Sequence, residues 1–452
     1  MTHYRLTRRA ALRASVAGIA GAALPLFNVQ GQGSAGVLRC AFWEHWVPAG
    51  NTRIKELCQE WGERNRVEVT LDFLVSAGNQ ILLTIASQAQ SRSGHDLIAM
   101  PTWEPGSHAR LLEPVDDVVG RLEQKYGTIA PASAYLGRHE GHWRAVPAIA
   151  GTQTKSCCVR YDLLQEHAGI DIRAMWPAEP RQGPGAETWN WDTFLTIAEK
   201  CAAAGYPFAL PMGQYSDAID WVGALFTSFG ASMMDAEGKV TVRGNAKLQA
   251  ATEYLLKLSQ HLPRDVWAWD DASNNRALIA GKTALIFNPP SAWAVAKRDA
   301  PQVAEKCWYA PFPAGAQGRF TPYLPYFWGI WSFSKNKTAA KALIEFLSER
   351  TQAERMTTAT SGYDIPPFQS MSDFKVWETE GPPTGFAYNY PNKPHHKAQL
   401  NVAFAPAPAE TAVQAYTQAI NTKMVARVAQ GGQTMAQAMS WAEGELKNFT
   451  RG

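Results

Sequence analysis

Between residues 37 and 100 the hydrophobic period switches from strand-like to helical and back, and this switch restricts the fold more than any other feature. Val37 to Phe42 is a short apolar run, and Ile54, Leu57, Cys58 and Trp61 then recur at i, i+3, i+4, i+7, the stripe of a one-sided helix. Val67, Val69, Leu71 and Phe73 alternate as a half-buried strand does. A helix over 79–90 and a strand over 96–100 follow. Two strands joined through a helix need a crossover, so β-α-β-α-β order predicts a parallel sheet with helices on its faces. The later chain repeats the logic. Leu248, Ala251, Leu255 and Leu258 share one helical face, as do Ala340, Leu343, Ile344 and Leu347, and then Met435, Ala438, Met439 and Ala442. Short apolar runs at 208–210 and 283–287 read as further strands, and Pro/Gly-rich stretches at 177–185 and 381–385 read as surface loops.

The chain opens differently. Thr7-Arg8-Arg9-Ala10-Ala11-Leu12-Arg13 precedes an uncharged segment, Ala14 to Phe27, and a small-residue exit at Gly33-Ser34-Ala35. This resembles a twin-arginine export leader, cleaved near Ala35. Its 14-residue apolar segment is short of the roughly 20 residues that span a bilayer. Cleavage leaves residues 36–452, 417 in all, too many for one core, so two lobes are expected. The leader carries Arg5, Arg8, Arg9 and Arg13 and no acid, so subtracting four from the formal +3 leaves −1 for the remainder. That near-neutral balance removes the electrostatic case for a nucleic acid or anionic membrane partner. Arg39 before Cys40 does not resemble a lipoprotein processing site, and no lipid anchor is expected.

The six cysteines stand at 40, 58, 157, 158, 201 and 307, with no C-x-x-C spacing to support zinc or thioredoxin-like chemistry. Cys40 and Cys58 are left as either a disulfide or buried thiols. Adjacent Cys157 and Cys158 are expected as thiols. Export of a prefolded chain from a reducing cytosol favours free cysteines throughout.

In open α/β sheets ligands bind beyond the carboxyl ends of the strands. After the first strand come Trp43, Glu44, His45 and Trp46; after 96–100 come Thr102, Trp103 and Glu104; after 283–287 come Asn288 and Trp293. Each strand end offers a tryptophan beside polar groups, in a chain with 17 tryptophans. Indole faces pack against the C–H face of a sugar ring while carboxylates, amides and imidazole take its hydroxyls, a combination suited to a carbohydrate pocket. Isolated tryptophans such as Trp61 and Trp441 are expected in the core. Tyr323 and Trp328, from an aromatic run at 323–329, are cleft or hinge candidates. Tyr215, Asp217, Asp220 and Trp221, after the strand at 208–210, are weaker ones, and Asp364 is a further carboxylate.

The order of elements resembles the extracellular solute-binding proteins of bacterial ABC importers, family 1, in the maltose-binding-like group. The most specific segment is Ala277-Leu278-Ile279-Ala280-Gly281-Lys282-Thr283-Ala284-Leu285-Ile286 with Asn288 and Trp293. His142-Trp143-Arg144-Ala145-Val146-Pro147 leading to Arg160-Tyr161-Asp162-Leu163-Leu164 is similar to the family's first interlobe crossing. Asp235-Ala236-Glu237-Gly238-Lys239-Val240 resembles its surface hairpin, and Phe333-Ser334-Lys335-Asn336-Lys337, Gly362 and Pro366-Pro367 resemble its late segment.

The resemblance implies an α/β, two-lobed Venus-flytrap fold, each lobe a mainly parallel sheet flanked by helices. Residues 36–152 and 328–370 would form lobe I, and 153–327 with 371–452 lobe II. It further implies a monomeric periplasmic receptor, exported by the Tat translocase, that passes a sugar to the transmembrane subunits of an ABC permease. No cofactor, metal or catalytic residue is expected; Ala280-Gly281-Lys282-Thr283 is not a phosphate loop, because Arg276 stands where that motif requires Gly. Three alternatives remain: a polyamine or other small polar solute in the same fold, a phosphorylated ligand, or a periplasmic glycoside-cleaving enzyme using Glu44, Glu104 and Asp364. In His139-Glu140-Gly141-His142 the two histidines are one residue closer than in the zinc-protease motif.

Overall fold

The computed structural model describes residues 36–76, 79–178, 182–383, 385 and 398–450; the expected export leader lies outside the described residues. Thirteen strands are described: β1 (Val37–Trp43), β2 (Glu68–Leu74), β3 (Leu97–Pro101), β4 (Arg138–His139), β5 (His142–Trp143), β6 (Val146–Pro147), β7 (Gln153–Thr154), β8 (Ser156–Arg160), β9 (Leu285–Asn288), β10 (Cys307–Ala310), β11 (Arg319–Leu324), β12 (Tyr326–Ile330) and β13 (Ala398–Asn401).

The first sheet has the order β2-β1-β3-β12-β6. β1 runs parallel to β2 and β3, in register Cys40 with Leu71 and with Leu97, as the period switching predicts. β12 and β6 close its far edge antiparallel. The helix Pro48–Asn65 buries Ile54, Leu57, Cys58 and Trp61, the whole predicted stripe, while β2 leaves Val69, Leu71 and Phe73 half-buried at the edge.

The second sheet, β10-β8-β9, departs from the expected mainly parallel arrangement: both of its pairings are antiparallel. β8 enters directly from the interlobe crossing and starts at the cleft with Ser156, whose partner is Asn288 at the end of β9. β9 and β10 therefore both run toward the cleft, with the outgoing β8 inserted between them. A third sheet, β13-β11-β7, is mixed. The strand expected at 208–210 is an extended buried segment tied to β9 by Ala209 N–H to the Leu285 carbonyl, 2.9 Å. Pro207 and Pro211 flank it and offer no N–H, so a ladder does not propagate.

The crossings converge. Ala148 N–H donates to the Tyr326 carbonyl (2.8 Å), Ile365 N–H to the Thr152 carbonyl (2.9 Å), and Gly151 N–H to Asp364 Oδ1 (2.6 Å). Gly151 has φ of +91°, and a Cβ there would meet the Tyr326 ring at 2.7 Å, so the close approach of the crossings requires glycine.

Most tryptophans are core. Trp189, Trp221 and Trp308 are buried, and their indole N–H groups donate to the carbonyls of Pro311, Pro211 and Trp176. Trp61 is buried and Trp441 lies half-buried under Arg427, as expected of isolated positions. All six cysteines are buried free thiols, which decides Cys40 and Cys58 against a disulfide. Burial pushes the Cys40 thiol far up, and the Cys201 thiol up to about 11, so neither is a nucleophile. The His139-Glu140-Gly141-His142 segment is a hairpin: His139 pairs with His142 across β4 and β5, and Glu140 and Gly141 form its left-handed turn. Among the described residues no group of three or more His, Cys, Asp or Glu is arranged to hold a metal ion, and no helix is long and apolar enough to cross a membrane.

Candidate functional site

A cavity of about 130 Å³ opens where the carboxyl ends of β1, β3 and β9 meet the crossings and the helices Ser216–Ser228 and Ala409–Thr417. Trp43, Trp46, Thr102, Trp103, Glu104, Tyr215, Asp217 and Asn288 line it, so eight of the sixteen sequence candidates come together. The Trp43 indole N–H donates to Ser76 Oγ (2.7 Å), and its ring lies 5.1 Å from Tyr326 and 6.4 Å from Trp46. Trp103 packs edge-on to Tyr135 (5.6 Å) and near Tyr416 (6.4 Å). Two aromatic walls result. Asn288 Nδ2 donates to Asn275 Oδ1 (2.7 Å) and its Oδ1 accepts from Ser291 Oγ (2.6 Å), a satisfied amide network on the second-lobe face.

Thr102 adopts φ of +39°, unusual for a β-branched residue, and its N–H donates to the Pro325 carbonyl (2.8 Å). That turn holds Thr102 and Trp103 against the cavity. Both are buried, at 1 % and 2 % exposure, and Thr102 Oγ1 and Trp103 Nε1 have no hydrogen-bond partner among the described residues.

Below the cavity lies a charged group that strand-end reasoning reached only in part. Lys155, at 1 % exposure, places Nζ 2.7 Å from Asp217 Oδ1 and 2.8 Å from Asp220 Oδ2. Burial opposes its charge, but Asp217, Asp220 and Asp271 outweigh burial and raise its pKa. Asp217 Oδ2 also accepts from Asn274 (2.9 Å), and Asp220 Oδ1 from the Tyr416 hydroxyl (3.0 Å). Asp271 accepts from Asp217 N–H (2.9 Å) and Ser216 Oγ (3.0 Å). Burial, then the neighbouring Asp217 charge, push the Asp271 carboxyl up to about 7. Asp271 precedes the helix Ser273–Ile279 and follows no strand, so strand ends do not point to it; its signal is the polar run Asp270-Asp271-Ala272-Ser273-Asn274-Asn275 at a helix start.

The other eight candidates lie elsewhere. Glu44 is exposed and off the cavity. His45 is turned behind Trp43: its Nδ1 accepts from Val47 N–H (2.8 Å), so Nε2 carries the proton and donates to Asp364 (3.3 Å). Asp364 is fully buried and also accepts from Gly151 N–H and Thr360 Oγ1, which ties the crossings together. Asp220 is the second partner of Lys155. Trp221, Trp293 and Trp328 are core, with Trp221 packed on Phe287, Lys297 over the Trp293 ring and Phe42 edge-on to Trp328. Tyr323 is buried against Ser133 Oγ at 2.7 Å. Tyr323 and Trp328 lie within β11 and β12, and Trp221 and Trp293 lie on helices that turn them into the core, so none of the four stands at a strand end. The carboxylates Glu44, Glu104 and Asp364 do not gather as a catalytic pair requires: Glu104 lines the cavity beside His108 (3.3 Å), and the other two do not.

The family model for bacterial extracellular solute-binding proteins matches residues 48–354. The chain belongs to that family. A probable ABC transporter-binding protein of Deinococcus radiodurans is 26% identical over 198 residues, 40% of this chain; the match spans 45% of that relative's length. Among solved structures, maltose-bound MalE3 of T. maritima aligns with a TM-score of 0.73 at 19% identity, covering 91% of this chain and 99% of that one. A sugar transporter from Arthrobacter chlorophenolicus A6 with bound laminaribiose aligns at 0.70 and 14% identity, covering 91% and 99%. These likenesses show the two-lobed periplasmic-binding fold of this family member.

Proposed function

We propose that this family member is the substrate-binding component of an ABC importer and binds a sugar or oligosaccharide between its lobes. The observation that carries the reading is the cavity itself, in which Trp43, Trp46, Trp103 and Tyr215 supply ring faces and Asn275, Asn288 and Gln153 supply hydroxyl partners. Maltose in MalE3 and laminaribiose in the Arthrobacter protein support the class of ligand. We assign residues 36–152 and 328–370 to lobe I and 153–327 with 371–452 to lobe II, except that Tyr326 and Phe327, already paired in the first sheet as part of β12, go with lobe I. Ligand stabilises the closed form by its greater affinity for that state. The closed receptor then docks, as a monomer without catalysis of its own, on the permease. Membership of an extracellular family agrees with periplasmic residence, and the twin-arginine leader is the proposed route. Native mass spectrometry of the purified protein for a retained small molecule, followed by calorimetry with neutral disaccharides and with spermidine, tests the reading. Turnover of a glycoside, or a preference for spermidine over every sugar, overturns it.

A further inference from the structure

We infer that the solute this cavity takes is a single sugar ring, a monosaccharide and not an oligosaccharide. The inference rests on the sugar reading above and narrows it by size. The enclosed space is about 130 Å³. A cavity of about 150 Å³ holds one six-membered ring, and pockets for larger ligands start at about 300 Å³. One pyranose therefore fills the space, and a second ring has none.

The arrangement of the walls leads to the same size. Trp43 and Trp46 stand at 77° to each other with centroids 6.4 Å apart. That is a corner, which holds one ring by its face and its edge, whereas successive units of an oligosaccharide need ring faces set in a row. The floor is buried and comes from both lobes: Thr102 and Trp103 on the lobe I side, Gln153, Asn288 and Ser291 on the lobe II side, none more than 4 % exposed. The exposed lining residues are Asn79, Gln214 and Thr417, which mark the mouth. Beside Trp103 the lobes meet directly. The Tyr135 hydroxyl donates to the Ala407 carbonyl, the Trp103 ring lies 6.4 Å from Tyr416, and the helix Glu104–Ser107 packs on Ala409–Thr417. Tyr416 is itself held by Asp220 (3.0 Å), which is paired with buried Lys155. Protein thus closes that flank, and a sugar chain cannot run through the cleft past Trp103. A disaccharide has to part the lobes and break the Tyr135 contact, and one such hydrogen bond lost at a half-buried position is worth about tenfold in affinity.

The test is calorimetry on the purified protein with monosaccharides against dimers of the same sugar: glucose against maltose, cellobiose and laminaribiose, mannose against β-1,4-mannobiose, and xylose against xylobiose. The expected result is that the tightest ligand is a monosaccharide, bound about tenfold or more tightly than each of its dimers. Leu82→Ala widens the cavity and leaves its aromatic rings in place, and Tyr135→Phe removes the hydroxyl that holds Ala407. Each variant, with folding checked by thermal denaturation, should narrow that ratio several-fold. A dimer bound as tightly as its monosaccharide, a retained ligand of disaccharide mass in the native spectrum, or a ratio unchanged in both variants overturns the inference and leaves the sugar reading standing. Binding of no sugar, with no sugar retained, overturns both.

Discussion

Replacing Asp271 by Asn should stabilise the unliganded protein, and by more as the pH rises. Burial, and then the neighbouring Asp217 charge, lift this carboxyl from the ordinary carboxylate range to about 7. Lys155, and the amide and hydroxyl donors of Asp217 and Ser216, favour the ionised form and hold the shift to that size. Other ionisable groups near it are Tyr326 and Tyr416. Because the folded pKa is the higher one, the folded state binds the extra proton between about pH 4 and 7. The stability this provides is fully present below the unfolded pKa and is lost as pH rises through about 7. That rise corresponds to roughly 4 kcal/mol at most, and solvent at the cavity surface brings the expected value to about 2 kcal/mol. Asn keeps an acceptor for the Asp217 N–H and presents an amide to Ser216 Oγ, and it has no charge to bury. The assay is urea denaturation of wild type and Asp271→Asn in steps between about pH 4 and 8. The gap should begin near zero, grow through the acidic range and flatten above about pH 7. A gap independent of pH, or a variant less stable than wild type at the alkaline end, would refute the reasoning.

Lys155→Met strands Asp217 and Asp220 without their cation and should cost about 3–5 kcal/mol, read as a lower urea midpoint. Adding Asp220→Asn should recover part of that loss, so additivity of the two changes would count against a shared ion pair. With all six cysteines buried and free, a thiol reagent should find none in the native protein and six after denaturation; four would mean that Cys40 and Cys58 are bonded. His45→Phe removes the donor to fully buried Asp364 and should destabilise by about 1–3 kcal/mol in thermal melts. An unchanged melting temperature would show that this crossing contact holds nothing.

The hydrophobic period of the early chain was enough to read the first sheet, its parallel core and the stripe of Ile54, Leu57, Cys58 and Trp61, because local periodicity is set by which face each residue turns to the core. Strand-end placement located Trp43, Trp103 and Asn288 on one cavity, since a parallel sheet must present its carboxyl ends together. The same rule could not tell Trp43 from Trp293, because a tryptophan near a strand end reads alike in sequence whether it turns to the cleft or to the core. Nor did it separate Glu104 from Glu44. The antiparallel second sheet follows from β8 entering at the hinge, which no local pattern records.

What the amino-acid sequence determined by itself is the class of fold, the strand ends that face the cavity and its aromatic-rich lining. Its own order of residues encodes those through short-range period and composition. Tertiary structure alone decided the electrostatics. Lys155 follows a crossing strand, Asp217 and Asp220 lie on one helix, and Asp271 precedes another more than fifty residues on. Burial in one wall makes a charge group of them, since the energy of a buried charge is set by neighbours in space and not by neighbours in the chain.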